Sequence, residues 1–211
     1  MRKVLIWIAA MIPAAVQAED VVIAALGDSL TQGYGLPQEA GFVPQLQNWL
    51  DAQGVPARLL NAGVSGDTTA GGLSRVDWTL TPDVDGMIVV LGGNDMLRGL
   101  DPASTRANIR GILQAAENAD VDVLLVGMQA PGNFGPDYKT QFDTLYPQLA
   151  AEFGVLHAES FFAGLDIAGG DPASVRADMQ DDGIHPNAGG VVKIVDALGP
   201  KVAELVAQIT R

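Results

Sequence analysis

The amino-acid sequence predicts a one-domain α/β protein built around a doubly wound parallel sheet. Three observations lead there. Five short apolar runs alternate with segments of helical periodicity, the pattern of βα units in series. Several of these runs are continuously apolar, as strands buried on both faces of a parallel sheet are. The 211 residues, 48% hydrophobic and 18% charged, suit one folded domain with a sizeable core.

Taken in order, the strands are expected at 21–26 (VVIAAL), 57–61 (ARLLN), 86–91 (GMIVVL), 121–128 (VDVLLVGM) and 154–158 (GVLHA). Between them, residues 42–52 space Phe42, Leu46, Trp49 and Leu50 as one face of a helix. The segment 103–118 carries Ile109, Ile112, Leu113 and Ala116 on a stripe, with Pro102 suited to its first turn. Residues 137–153 align Phe142, Leu145, Leu149 and Phe153. A last helix from 188 aligns Val191, Val192, Val195 and Leu198, and Gly199–Pro200 should kink or restart it. No repeat, low-complexity stretch or long linker interrupts the series.

The first eighteen residues have a different character. A basic "MRK", the apolar "VLIWIAAMI" and the small-residue pattern Val16–Gln17–Ala18 before Glu19 read as a Sec signal peptide. Nine apolar residues are too few for a membrane span of about 20, and Pro13 disfavours an anchor helix. The expectation is a cleaved leader at 1–18, a catalytic or binding domain at 19–211, and a periplasmic or secreted location. The chain has no cysteine, so disulfides, a thiol nucleophile and a lipoprotein anchor are all excluded. Its formal net charge of −13 argues against nucleic acid and anionic lipid surfaces as partners.

In a parallel sheet, ligands gather at the carboxyl ends of the strands. The stretch "LGDSLTQGYG" (26–35) stands at the first such end, and its glycines allow a sharp turn that projects the Ser29 hydroxyl. Alone, Ser29 is equally a nucleophile or a cap and turn residue. A serine attacks only when a base takes its proton, and the chain has two histidines. His157 falls inside a predicted strand and reads as a structural residue. His185 lies in the polar loop "MQDDGIHPNAGG", three residues after Asp182, with Gly183 between them to let the chain curl back. In a tight turn that spacing presents a carboxylate to one ring nitrogen and leaves the other for the serine. The milder reading is that Asp182 closes a turn and Asn187 caps the next helix.

Acyl transfer also needs donors for a developing oxyanion. "NAGVSGDTT" (61–69) follows the second strand and exposes backbone N–H groups around Gly66. "LGGND" (91–95) follows the third, where Asn94 offers a side-chain amide. Three Gly-rich polar elements therefore stand at three successive strand ends. A metal hydrolase built on Asp181, Asp182 and His185 is disfavoured, because two histidines fall short of the usual zinc ligand set.

Ser29 in "GDSL", Gly66 in "NAGVSGD", Asn94 in "GGND", and Asp182 with His185 in "DGIHPN" resemble, in order, the blocks of the SGNH, or GDSL, hydrolase family. The longer strings "SGDTT", "VLGGND", "LRGLDP" and "MQDDGIHPN" are similar to its bacterial periplasmic branch of multifunctional acyl-CoA thioesterases, proteases, lysophospholipases and arylesterases. The resemblance implies a three-layer, flavodoxin-like fold with strand order 2-1-3-4-5. It implies Ser29 as nucleophile, His185 as general base and acid, and Asp182 as its orienting partner. The Ser29 and Gly66 N–H groups with the Asn94 amide would form the oxyanion hole. It further implies an acyl groove shaped by the loops after the third and fourth strands, with Met96, Leu97, Ala130, Phe134 and Tyr138 as wall candidates. No metal or organic cofactor is expected. The expected partner is a small acyl or aryl ester or thioester, met by a monomer. The alternatives are a carbohydrate O-acetylesterase of the same family and a non-catalytic periplasmic binding protein.

Overall fold

The computed structural model describes residues 21–165 and 175–211. The leader expected at 1–18 lies outside the described residues. The sheet comprises β1 (Val21–Gly27), β2 (Ala57–Gly63), β3 (Gly86–Val90), β4 (Asp122–Val126) and β5 (Leu156–Ala158), all parallel, in the order 2-1-3-4-5. The continuous apolar runs explain which strands are central. Every residue of β1 and β3 is buried, whereas edge strand β2 is only partly covered.

Among the described residues the strands are joined or followed by the helices α1 (Ser29–Gln32), α2 (Phe42–Gln53), α3 (Thr69–Thr79), α4 (Gly93–Leu97), α5 (Pro102–Asn118), α6 (Pro136–Phe153) and α7 (Ala188–Ile209). α2 packs with α7 on one side of the sheet, while α3, α5 and α6 pack in a row on the other, which gives three layers. The stripe of α7 buries Val191, Ile194, Val195, Leu198, Val202 and Leu205. Each such side chain contributes about 1.5–3 kcal/mol when fully removed from water. Beneath the carboxyl ends of the strands, the buried Asp95 accepts from the Thr69 N–H at 2.8 Å and from the Thr105 hydroxyl at 3.1 Å. That carboxylate joins α3, α4 and α5.

Several details depart from the sequence expectation, among them these. Helix α3 has no counterpart in it, because Gly71 and Gly72 occupy its first turn and leave a short apolar stripe. β4 ends at Val126 rather than residue 128: the Gly127 N–H makes the last ladder bond, to the Ala158 carbonyl, and the Gly127 carbonyl accepts from the Phe161 N–H, beyond the end of β5. β5 begins at Leu156 because Gly154, with φ of 65°, is still the C-cap of α6. α7 runs through Pro200 without restarting. There the neighbouring Gly199 lies against Trp49 so closely that a Cβ would sit 2.6 Å from the ring.

Candidate active site

The nucleophile candidate is held by a strand-to-helix turn. β1 ends at Gly27, Asp28 caps α1 by accepting from the Leu30 N–H at 3.0 Å, and Ser29 is the first helical residue. The helix lasts one turn before Gly33, with φ of 88°, closes it and donates to the Ser29 carbonyl. Two glycines permit this crowding. A Cβ on Gly27 would fall 1.9 Å from the Thr31 Oγ1, and one on Gly63 would fall 2.3 Å from the Gln32 nitrogen.

The Asp182–His185 loop approaches the same point from the other end of the chain. Asp182 Oδ1 accepts from the backbone N–H groups of Ile184 (2.9 Å) and His185 (3.0 Å), while its Oδ2 lies 2.6 Å from His185 Nδ1. Gly183, with φ of 66°, makes this curl affordable. The other ring nitrogen, Nε2, lies 2.8 Å from Ser29 Oγ across 156 positions of sequence. The loop is fastened at its base. Met179 and Pro186 form a β-bridge, and Gln180 donates to the Tyr34 and Pro186 carbonyls at 2.8 and 3.0 Å. Asn187 caps α7 by accepting from the Gly190 N–H. The Tyr34 ring covers His185 at 4.7 Å between centres. The backbone N–H and imidazole of His185, with the N–H of Ile184, hold the Asp182 carboxyl down at a pKa of about 2.

Gly66 and Asn94 stand at the ends of β2 and β3. Gly66 adopts a φ of 84°, and its carbonyl is drawn aside by Arg98 Nη2 at 2.7 Å. Arg75 fixes the loop from below, bonding Asp67 and the carbonyls of Ala62 and Gly27. The turn before Asn94 uses Gly92 at φ of 116°, above which the buried Tyr146 hydroxyl donates to the Leu91 carbonyl at 3.0 Å. A Cβ on Gly92 would strike that hydroxyl at 2.1 Å. The Asn94 amide donates to Asp28 Oδ2 at 3.1 Å.

Ser29, Gly66, Asn94, Asp182 and His185 all line one open cleft of about 1240 Å³, larger than the ~300–1,000 Å³ usual for small-molecule sites. Met96 and Leu97 line it as well. Ala130, Phe134 and Tyr138 do not. Ala130 is buried, with its N–H on Asp143 and its carbonyl on Lys139. Phe134 packs on Tyr138 at 5.0 Å and against Gly99, and Tyr138 stacks on Phe142 at 5.9 Å. From those loops, Met128, Gln129 and Pro131 reach the cleft instead. His157 sits in β5, away from this cleft, and burial lowers its pKa. Two further residues escaped the sequence reading: Asp28, 1% exposed beside the serine, and Tyr34 over the imidazole. An acidic residue inside a Gly-rich strand end was the available signal for the first. Among the described residues no group of three or more His, Asp or Glu side chains is placed to hold a metal ion.

This sheet and cleft define an SGNH hydrolase. The chain belongs to the GDSL-like lipase/acylhydrolase family, whose model matches residues 25–191. It is thereby an enzyme of the carboxylic-ester hydrolase class. It is 35% identical over 190 residues to the esterase TesA of Pseudomonas aeruginosa, covering 90% of this chain and 91% of that protein. It is 36% identical over 182 residues to thioesterase 1/protease 1/lysophospholipase L1 of Escherichia coli, covering 86% and 83%. Among solved structures, that of AlinE4, an SGNH-hydrolase family esterase, is similar with a TM-score of 0.71 at 42% identity, covering 89% of this chain and 97% of that one. Among the described residues no helix is long and apolar enough to cross a membrane.

Proposed function

We propose that the protein is an exported serine esterase and thioesterase that hydrolyses acyl or aryl esters through an acyl-enzyme on Ser29. The observation that carries this reading is the unbroken hydrogen-bonded series Ser29–His185–Asp182, on a cleft that Gly66 and Asn94 also line. With Asp182 ionised, its Oδ2 accepts the proton on Nδ1 and leaves the Nε2 lone pair facing the serine hydroxyl. Ser29 Oγ attacks the ester carbonyl as Nε2 takes its proton. The Ser29 and Gly66 N–H groups and the Asn94 amide receive the charge that develops on the carbonyl oxygen. The imidazolium then protonates the departing alcohol or thiol. Water, deprotonated by the same nitrogen, releases the acid and restores Ser29.

The lining and the relatives support the substrate class. Met96, Leu97, Met128, Phe162 and Met179 give the cleft apolar walls suited to an acyl or aryl group. Enzymes named esterase and thioesterase/lysophospholipase are similar over most of the chain. Export rests on the basic, apolar and small-residue order of residues 1–18. The mass of protein recovered from the periplasm checks it, and a chain still carrying Met1 refutes cleavage. For catalysis, Ser29→Ala should abolish turnover of a p-nitrophenyl ester and labelling by a fluorophosphonate while circular dichroism stays native. A variant that still turns over at the wild-type rate refutes the mechanism.

A further inference from the structure

Asp28 is a buried carboxylate with no ion-pair partner in contact among the described residues. Its side chain is 1% exposed, and among the described residues two donors reach it: the Leu30 N–H on Oδ1 and the Asn94 amide on Oδ2. The charged groups facing it are His185, which favours its ionisation, and Asp67, which opposes it. Burial outweighs the other influences and pushes its pKa up to about 6. Capping α1 does not require this group, since serine or asparagine caps a helix about as well with a single oxygen. The second oxygen is what an acidic residue adds here, and it is engaged by Asn94. Gly93 makes room for that contact, because a Cβ there would come within 3.3 Å of Asp28 Oδ2.

We propose that Asp28 is a positioning residue that fixes which way the Asn94 amide faces. A carboxamide can turn over with almost no change of shape and exchange its NH₂ for its oxygen. An ionised carboxylate only accepts, so it selects the orientation with Nδ2 toward Asp28. The planar NH₂ then directs its second N–H away from Asp28, and Asn94 lines the cleft. Turned over, the amide would present a carbonyl oxygen where an oxyanion forms. A protonated Asp28 can donate to the Asn94 oxygen as well as accept from its nitrogen, so the selection is lost on the acid side. This inference rests on the catalytic reading above.

A double-mutant cycle on kcat for a p-nitrophenyl ester tests it. In Asp28→Asn the single oxygen stays with the Leu30 N–H and the new NH₂ meets Asn94, which selects the turned-over amide. The expected result is a fall in kcat of about 10²–10³, the size of a lost oxyanion donor, with KM within about threefold of wild type. The same change made in Asn94→Ala should cost less than about threefold. A kcat for Asp28→Asn near wild type, or the same loss with and without Asn94, overturns the proposal. A second measurement needs no change at position 28. The acid limb of kcat should be steeper in wild type, where protonating Asp28 also releases the Asn94 amide to turn over, than in Asn94→Ala, and equal slopes overturn it. Ser29→Ala separates the two levels. Full activity there sinks the catalytic reading, whereas an inactive Ser29→Ala with an additive cycle sinks only the role of Asp28.

Discussion

Asp182→Asn is the substitution whose effect the geometry fixes most closely. The carboxylate and the imidazolium formed during attack would be separated by about 4 Å between charge centres, a pair worth about 1 kcal/mol in water and about 4 kcal/mol at an effective dielectric near 20. The His185 side chain is 15% exposed and that of Asp182 is 36% exposed, so the pair belongs nearer the second value. Losing the charge then lowers kcat by about 10²–10³. Asparagine adds a second defect. Its oxygen can keep the two backbone N–H groups, but its NH₂ then faces Nδ1 and forces the ring proton onto Nε2, opposite Ser29. Asp182→Ala loses the charge without imposing that tautomer, so it should retain more activity than Asp182→Asn. Initial rates with a p-nitrophenyl ester, normalised to fluorophosphonate-reactive enzyme, measure both. A rate for Asp182→Asn within fivefold of wild type would refute the account of the base.

Two further outcomes follow from the same turn. Gly27→Ala should lower stability by about 1–3 kcal/mol through overpacking, because its Cβ would meet Thr31 and the Val90 carbonyl, and thermal unfolding should fall by several degrees; an unchanged midpoint contradicts the packing described. Asp28 should impose a pH dependence on stability: its native pKa near 6 exceeds the ordinary 3.8, so the native state binds the extra proton and stability falls as pH rises through that window. Denaturant unfolding at pH 4 and pH 8 should show wild type losing about 2 kcal/mol more than Asp28→Asn over that range, and parallel losses would contradict the raised pKa.

Much of the fold could be read from the chain because the central strands are apolar on both sides. The runs 21–26 and 86–91 have no alternation to misassign, and both became fully buried strands. Helix α3 stayed hidden because its first turn is Gly-rich and its cap, Thr68, is indistinguishable in sequence from a loop threonine. Position along the chain brought Ser29, Gly66, Asn94, Asp182 and His185 into view, since each follows a strand end or precedes the last helix. It could not say which side of a loop faces the cleft. Ala130 turns into the body of the protein, and Phe134 and Tyr138 join the aromatic series Phe134–Tyr138–Phe142–Tyr146, with Phe134 at its exposed end, while Met128 and Pro131 take the cleft side. Asp28 was passed over because its bond to Asn94 spans 66 positions, beyond any local pattern.

The three-residue spacing of Asp182 and His185 has a mechanical consequence. Carboxylate and imidazole ride on a single curl of backbone, so they travel together, whereas the hydroxyl they serve is rooted in the sheet. Shifting that curl would lengthen the ring-to-hydroxyl separation and leave the ring's own tautomer and counter-charge intact. On the proposed mechanism, a displacement of the curl would therefore stop turnover without dismantling the base.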